Sequence, residues 1–148
     1  MEYLVLKTQN QNPIPCVSSW FGKLDERKLT LESYKELPRY FLLDMKTGTD
    51  IFYPDILTEP FLMVSREVAD VLRMYEEEMP FLFVVLFDID KNESVSYHLP
   101  ILAEGDENCQ RAVYRVRKKD RWEIRVRLDL AESLLYRGAE GIEFTKIQ

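Results

Sequence analysis

The run FLFVVLFDI at residues 81–89 constrains this chain more than any other stretch. It is β-branched and aromatic, and it is apolar at odd and even positions alike until Asp88. A strand with that pattern has no face to give to water. It calls for a central place in a sheet that is covered on both sides. The unbroken apolar part, Phe81 to Phe87, is seven residues long. That is far below the ~20 residues of a membrane-spanning helix.

Around this strand the periodicities differ. Ser65 offers an N-cap to SREVADVLRMYEEEM, in which Val68, Val71, Leu72 and Tyr75 recur at three- and four-residue intervals. This predicts a helix over 65–79, stopped by Pro80. In LDLAESLLYRGAEGIEF, Asp129 takes the capping position with Glu132 three residues on. Leu130, Leu134 and Leu135 form the apolar face, Arg137 suits the negative helix end, and Gly138 suits the left-handed cap. A helix over 129–137 and a closing strand, GIEFTKI, follow. YLVLK at 3–7, RYFLLDMK, FLMV and SVSYHLPIL read as further strands. Residues 8–19 are polar, contain two prolines and read as irregular. Any helix in TLESYKEL is short, because the third residue after Thr30 is Ser33 rather than Glu or Gln. The expected class is α+β: a single domain over 1–148 with one mixed or mainly antiparallel sheet of five to seven strands and two helices packed on it. Residues 1–60 are its less regular part and 61–148 its sheet-and-helix core.

Positive charge is concentrated in RAVYRVRKKDRWEIRVRL, residues 111–128. Eight basic residues against Asp120 and Glu123 give this segment +6 in a chain of net charge −6, which leaves −12 elsewhere. Both halves alternate with period two and KKDR separates them, the pattern of a hairpin. The expected hairpin turns Tyr114 and Trp122 to the core and an arginine face, with Arg115, Arg117, Arg125 and Arg127, outward. That face fits a solvated sheet surface, a protein interface or a nucleic-acid site. The aromatics fall on the wrong side for base stacking, and the acidity of the whole chain repels a polyanion.

Residues with chemistry are sparse. His98 is the only histidine, within the alternating SVSYHL, and no GxSxG elbow accompanies it. Cys16 and Cys109 are too few and too far apart for a disulfide scaffold or a zinc site, and read as independent thiols. Asp88, Asp90 and Asn92 imitate the start of an EF-hand loop, but Glu93 and Leu99 stand where Gly and Glu are required. A hairpin turn is the expectation there. An enzyme would need a pocket joining His98, Cys109 or the Asp88–Asp90 pair. No catalytic, cofactor or metal residues are assigned. The start, MEYLVLKTQ, is not a secretory signal, so the cytoplasm is expected.

The order of a strand ending in MVS, a helix, the strand FLFVVLFDI, a hairpin, and a closing helix followed by GIEF resembles a bacterial family grouped with polymorphic-toxin immunity proteins. The likeness covers roughly residues 50–147 and is one of pattern. It implies a small cytoplasmic protein that binds and neutralises a toxin and has no catalytic residues. The functional expectation is therefore a non-enzymatic protein-binding module. The alternatives are nucleic-acid binding through the arginine hairpin and a small enzyme. The candidate partner surface for a basic protein is the acidic set Glu76, Glu77, Glu78, Asp106 and Glu107. The arginine face is the candidate for an acidic partner. No cofactor and no membrane contact are called for, and oligomeric state is left open.

Overall fold

The computed structural model describes residues 2–9, 13–19 and 23–148. In chain order they form β1 (Tyr3–Thr8), β2 (Cys16–Ser19), β3 (Tyr40–Lys46), β4 (Ile56–Leu57), β5 (Met63–Val64), α1 (Arg66–Tyr75), β6 (Phe81–Asp88), β7 (Glu93–Pro100), β8 (Val113–Arg117), β9 (Trp122–Arg127), α2 (Leu128–Tyr136) and β10 (Ile142–Lys146). Two 3-10 turns lie at Glu26–Lys28 and Tyr34–Glu36, the second within TLESYKEL. The class is α+β, as expected.

One sheet was expected and two form. The first is antiparallel throughout, in the order β10-β1-β9-β8; the second has the order β2-β3-β6-β7-β5-β4 and is antiparallel except for the parallel pair β3 and β6. The split follows from long-range pairing. β1 inserts between β9 and β10, with Leu6 opposite both Ile124 and Phe144, so the two ends of the chain build one sheet together. The first sixty residues therefore supply internal strands to both sheets. The stretch read as irregular contains β2; its positions 10–12, and positions 20–22 at the start of the mixed segment that follows it, lie outside the described residues.

Both helices form with shifted ends. Ser65 caps α1 as expected, its hydroxyl accepting from the Val68 amide at 3.3 Å. The helix ends at Tyr75, well before Pro80, because Glu76 leaves it and its carboxylate accepts the Ala112 amide at 3.0 Å. In α2 the capping position is Arg127 instead of Asp129. Asp129 sits in the first turn, where it accepts the Leu130 amide at 2.9 Å and both arms of Arg127 at 2.7 and 3.0 Å. Gly138 takes φ +79°, the left-handed conformation expected of it.

Two apolar cores result. One joins α1 and α2 to the first sheet through Val68, Leu72, Leu130 and Leu134 against Leu6, Val113, Ile124 and Val126. The other lies on the inner face of the second sheet, where Phe41, Leu43, Leu82, Val84, Leu86 and Leu99 pack against Val17, Leu24, Leu29 and Leu57. No helix among the described residues is long and apolar enough to cross a membrane.

Candidate functional site

β6 is central in its sheet, as its composition demands, but it is not covered on both faces. Leu82, Val84 and Leu86 point to the inner core and are at most 4% exposed. On the other face Phe83 is 37% exposed, and its parallel neighbour β3 presents Tyr40 at 74% and Leu42 at 60%. The register sets Tyr40 beside Phe83 and Leu42 beside Val85, so these side chains form one continuous patch. Arg39 borders it and makes no ion pair among the described residues. β3 alternates exposed and buried without interruption along its length.

Part of the remainder of this outer face has cover, while Asp44 and Lys46 on β3 and Ser94 and Ser96 on β7 are exposed. α1 packs near β5 and β7, with the Arg73 guanidinium 4.3 Å from the Phe81 ring centre. His98 stands edge-on between Phe81 and Phe83, with ring centres 6.4 and 5.3 Å away. Burial holds its pKa below the ordinary imidazole value, and the Arg73 charge adds to the effect. The bare patch thus begins where the cover from α1 stops.

The arginine hairpin forms, but its arginines do not share a face. The pairing sets Arg117 opposite Trp122 and Arg115 opposite Ile124, while Tyr114 faces Arg125. Arg115 and Arg117 therefore lie on the side of Trp122, and Arg125 and Arg127 on the side of Tyr114. This corrects the expected arrangement: Tyr114 and Trp122 point to opposite faces. The second pair is fully engaged. Arg125 is buried and holds Glu123 at 3.0 Å, and Arg127 holds Asp129 and also donates to the Gln110 carbonyl at 3.1 Å. The first pair stacks on Trp122, with guanidinium-to-ring distances of 3.8 Å for Arg115 and 5.1 Å for Arg117.

The acidic set is not one surface of equivalent groups. Glu76 is committed to the Ala112 amide, and Asp106 accepts from the Asn108 amide at 2.8 Å to shape its own loop. Glu77, Glu78 and Glu107 are exposed. The groups an enzyme would need stay apart. Asp88 and His98 occupy β6 and β7 positions five residue pairs apart, roughly 17 Å along the strands. Asp88 is buried, unlike an ordinary turn acid, and accepts from the Thr47 hydroxyl at 2.7 Å and from the Thr47, Asp90 and Lys91 amides. The Thr47 contact is the main cause holding its carboxyl below the usual range. It builds the β6–β7 turn, in which Asn92 has φ 54°. Cys109 lies in the loop against Gly105, where a Cβ would come within 2.8 Å of it.

Two cavities flank Trp122. One of about 620 Å³ lies between β1, β2 and β9, and the other, of about 490 Å³, lies between the β8–β9 hairpin, the 3-10 turn at Glu26–Lys28 and the residues after β7. Both are lined by Arg121, Trp122 and Thr58–Pro60. Neither the arginine stacking nor the bare patch has a local sequence signal, because each arises from the phase between two strands. The chain matches no protein-family model, no curated protein and no solved structure.

Proposed function

We propose that this protein is a non-catalytic binding module that docks a partner protein on the bare outer face of β3 and β6. The observation that carries this reading is the exposure of Tyr40 and Leu42 beside Phe83 in the middle of a sheet whose opposite face is sealed. A contiguous apolar patch of this kind is costly to leave in water, and aromatic residues at its centre are the usual anchors of protein interfaces. The partner's surface is apolar and carries a carboxylate for Arg39, which has no internal ion pair among the described residues. The resemblance to immunity proteins makes a toxin the partner class and the cytoplasm the place of encounter. The acidic turn at Glu77 and Glu78 would then act at long range on a basic partner and would not form the contact itself.

The test is a photo-crosslinking amino acid placed at Leu42, with a second at Lys119 in the β8–β9 turn as control, in the native host. One protein joined from position 42 and not from 119 sustains the reading. A crosslink only to a second copy of this chain, or none at 42, overturns it.

A further inference from the structure

We propose that the 490 Å³ cavity beside Trp122 binds a small organic anion, whose carboxylate or phosphate meets Arg115. This site shares no residue with the β3–β6 patch and does not depend on it. Arg115 is held in place before any ligand arrives. Its backbone bonds Ala103 and Gly105, and its guanidinium carbon sits over the Trp122 ring, 3.8 Å from the ring centre. Its Nε is buried and has no hydrogen-bond partner. A buried charge-bearing donor is costly to leave unpaired, and the two Nη atoms, which have no hydrogen-bond partner among the described residues, suit bidentate recognition of a carboxylate or phosphate.

Arg117 and Arg121 line the same cavity, and neither has an ion pair among the described residues. Four carboxylates, on Glu26, Glu59, Glu104 and Asp120, also line it, and none lies within ion-pair distance of these three arginines. Glu104 and Glu32 act on Arg115 only through space, and burial outweighs them, lowering its pKa. The acids restrict what fits. A ligand with one anionic end can meet the arginines, but a polyanion filling the cavity would face four negative groups. Leu62, Leu99 and Leu102 supply an apolar wall for the rest of the ligand, and the volume is that of a small-molecule site.

The experiment is a titration of the full chain with benzoate, phenyl phosphate and a short oligothymidylate, following the Arg115 Nε–H resonance by NMR. The resonance is assigned by its loss in Arg115→Lys. The expected result is a saturable shift with one of the two small anions, at a dissociation constant of about 1 mM or below. Which of the two saturates decides between carboxylate and phosphate. Arg121→Gln should weaken that binding about threefold, and Arg115→Gln about tenfold or more. If Arg115→Gln does not fold, the wild-type titration decides alone. No saturable shift with either small anion, tighter binding of the oligonucleotide, or undiminished affinity in folded Arg115→Gln overturns the proposal.

Discussion

Along β3 and β6 large apolar side chains stand on both faces and are treated in opposite ways, although the outer face of β3 ends in the charged Asp44 and Lys46. Phe41, Leu43 and Met45 on one side are at most 6% exposed, while Tyr40 and Leu42 on the other are more than half exposed. For Tyr40 and Leu42 against Phe41 and Leu43 the difference lies in what stands above them, whereas Asp44 and Lys46 suit water in any case. On the inner side, Leu24 and Leu29, from outside the sheet, share one buried core with it. On the outer side α1 covers the β5–β7 end and nothing among the described residues covers β3. Apolar residues on the inner face are explained by folding, because burial is the main favourable term in stability. Those on the outer face are not, and that is why the outer face reads as a surface for a partner.

This contrast can be broken in four ways, in descending order of effect. Leu43→Ala, at a fully buried site, should cost about 2–5 kcal/mol in urea unfolding, the range for a large-to-small change in a packed core. A loss near zero would mean that the inner core is loose. Ser65→Ala should cost about 1 kcal/mol by removing the cap of α1, the helix that packs near β5 and β7. Native-state hydrogen exchange should then quicken in α1 and not in β3. Leu42→Ala should change stability by less than about 0.5 kcal/mol, because its side chain already faces solvent. A larger loss would show that the patch is packed in solution and therefore not free to bind.

The smallest effect is that of His98, which borders the patch beneath Arg66, Asp70 and Arg73 of α1 and beside Phe81 and Phe83. Its folded pKa lies below the unfolded value, so the unfolded chain binds more protons. Stability should be full above about pH 6.5, the ordinary imidazole value, and should fall as pH drops through it toward the depressed folded value. His98→Gln should flatten that slope between pH 7 and 5, taken as roughly the span of the imidazole titration. An unchanged slope would assign the acid sensitivity elsewhere.

Much of the fold was legible because it is written locally. The period-two alternation of Tyr40–Lys46 and Trp122–Arg127, the Ser65 cap and Gly138 each concern neighbours a few residues apart. What was not legible concerns phase and distance. Alternation assigns faces within β8 and within β9, yet it cannot relate one strand to the other. The pairing of Arg117 with Trp122 is set by the turn between them, and a one-residue slip would exchange the faces. The insertion of β1 between β9 and β10 depends on residues more than a hundred positions away, so local alternation does not separate the two sheets. The bare patch was hidden for a different reason. A strand that is apolar on both faces predicts cover on both, and only its pairing with β3 shows that one side is left open.

Three folded baits in the native host put the docking patch to the test: the wild type, Leu42→Asp on the patch and Arg117→Gln on the hairpin. Retained proteins are measured by quantitative mass spectrometry at equal bait stability. One stoichiometric protein should be held by the wild type and by Arg117→Gln and lost from Leu42→Asp, a drop of about 2 kcal/mol or more in binding. Retention of that protein by Leu42→Asp, with loss from Arg117→Gln, would contradict docking on the patch and move the interface to the hairpin.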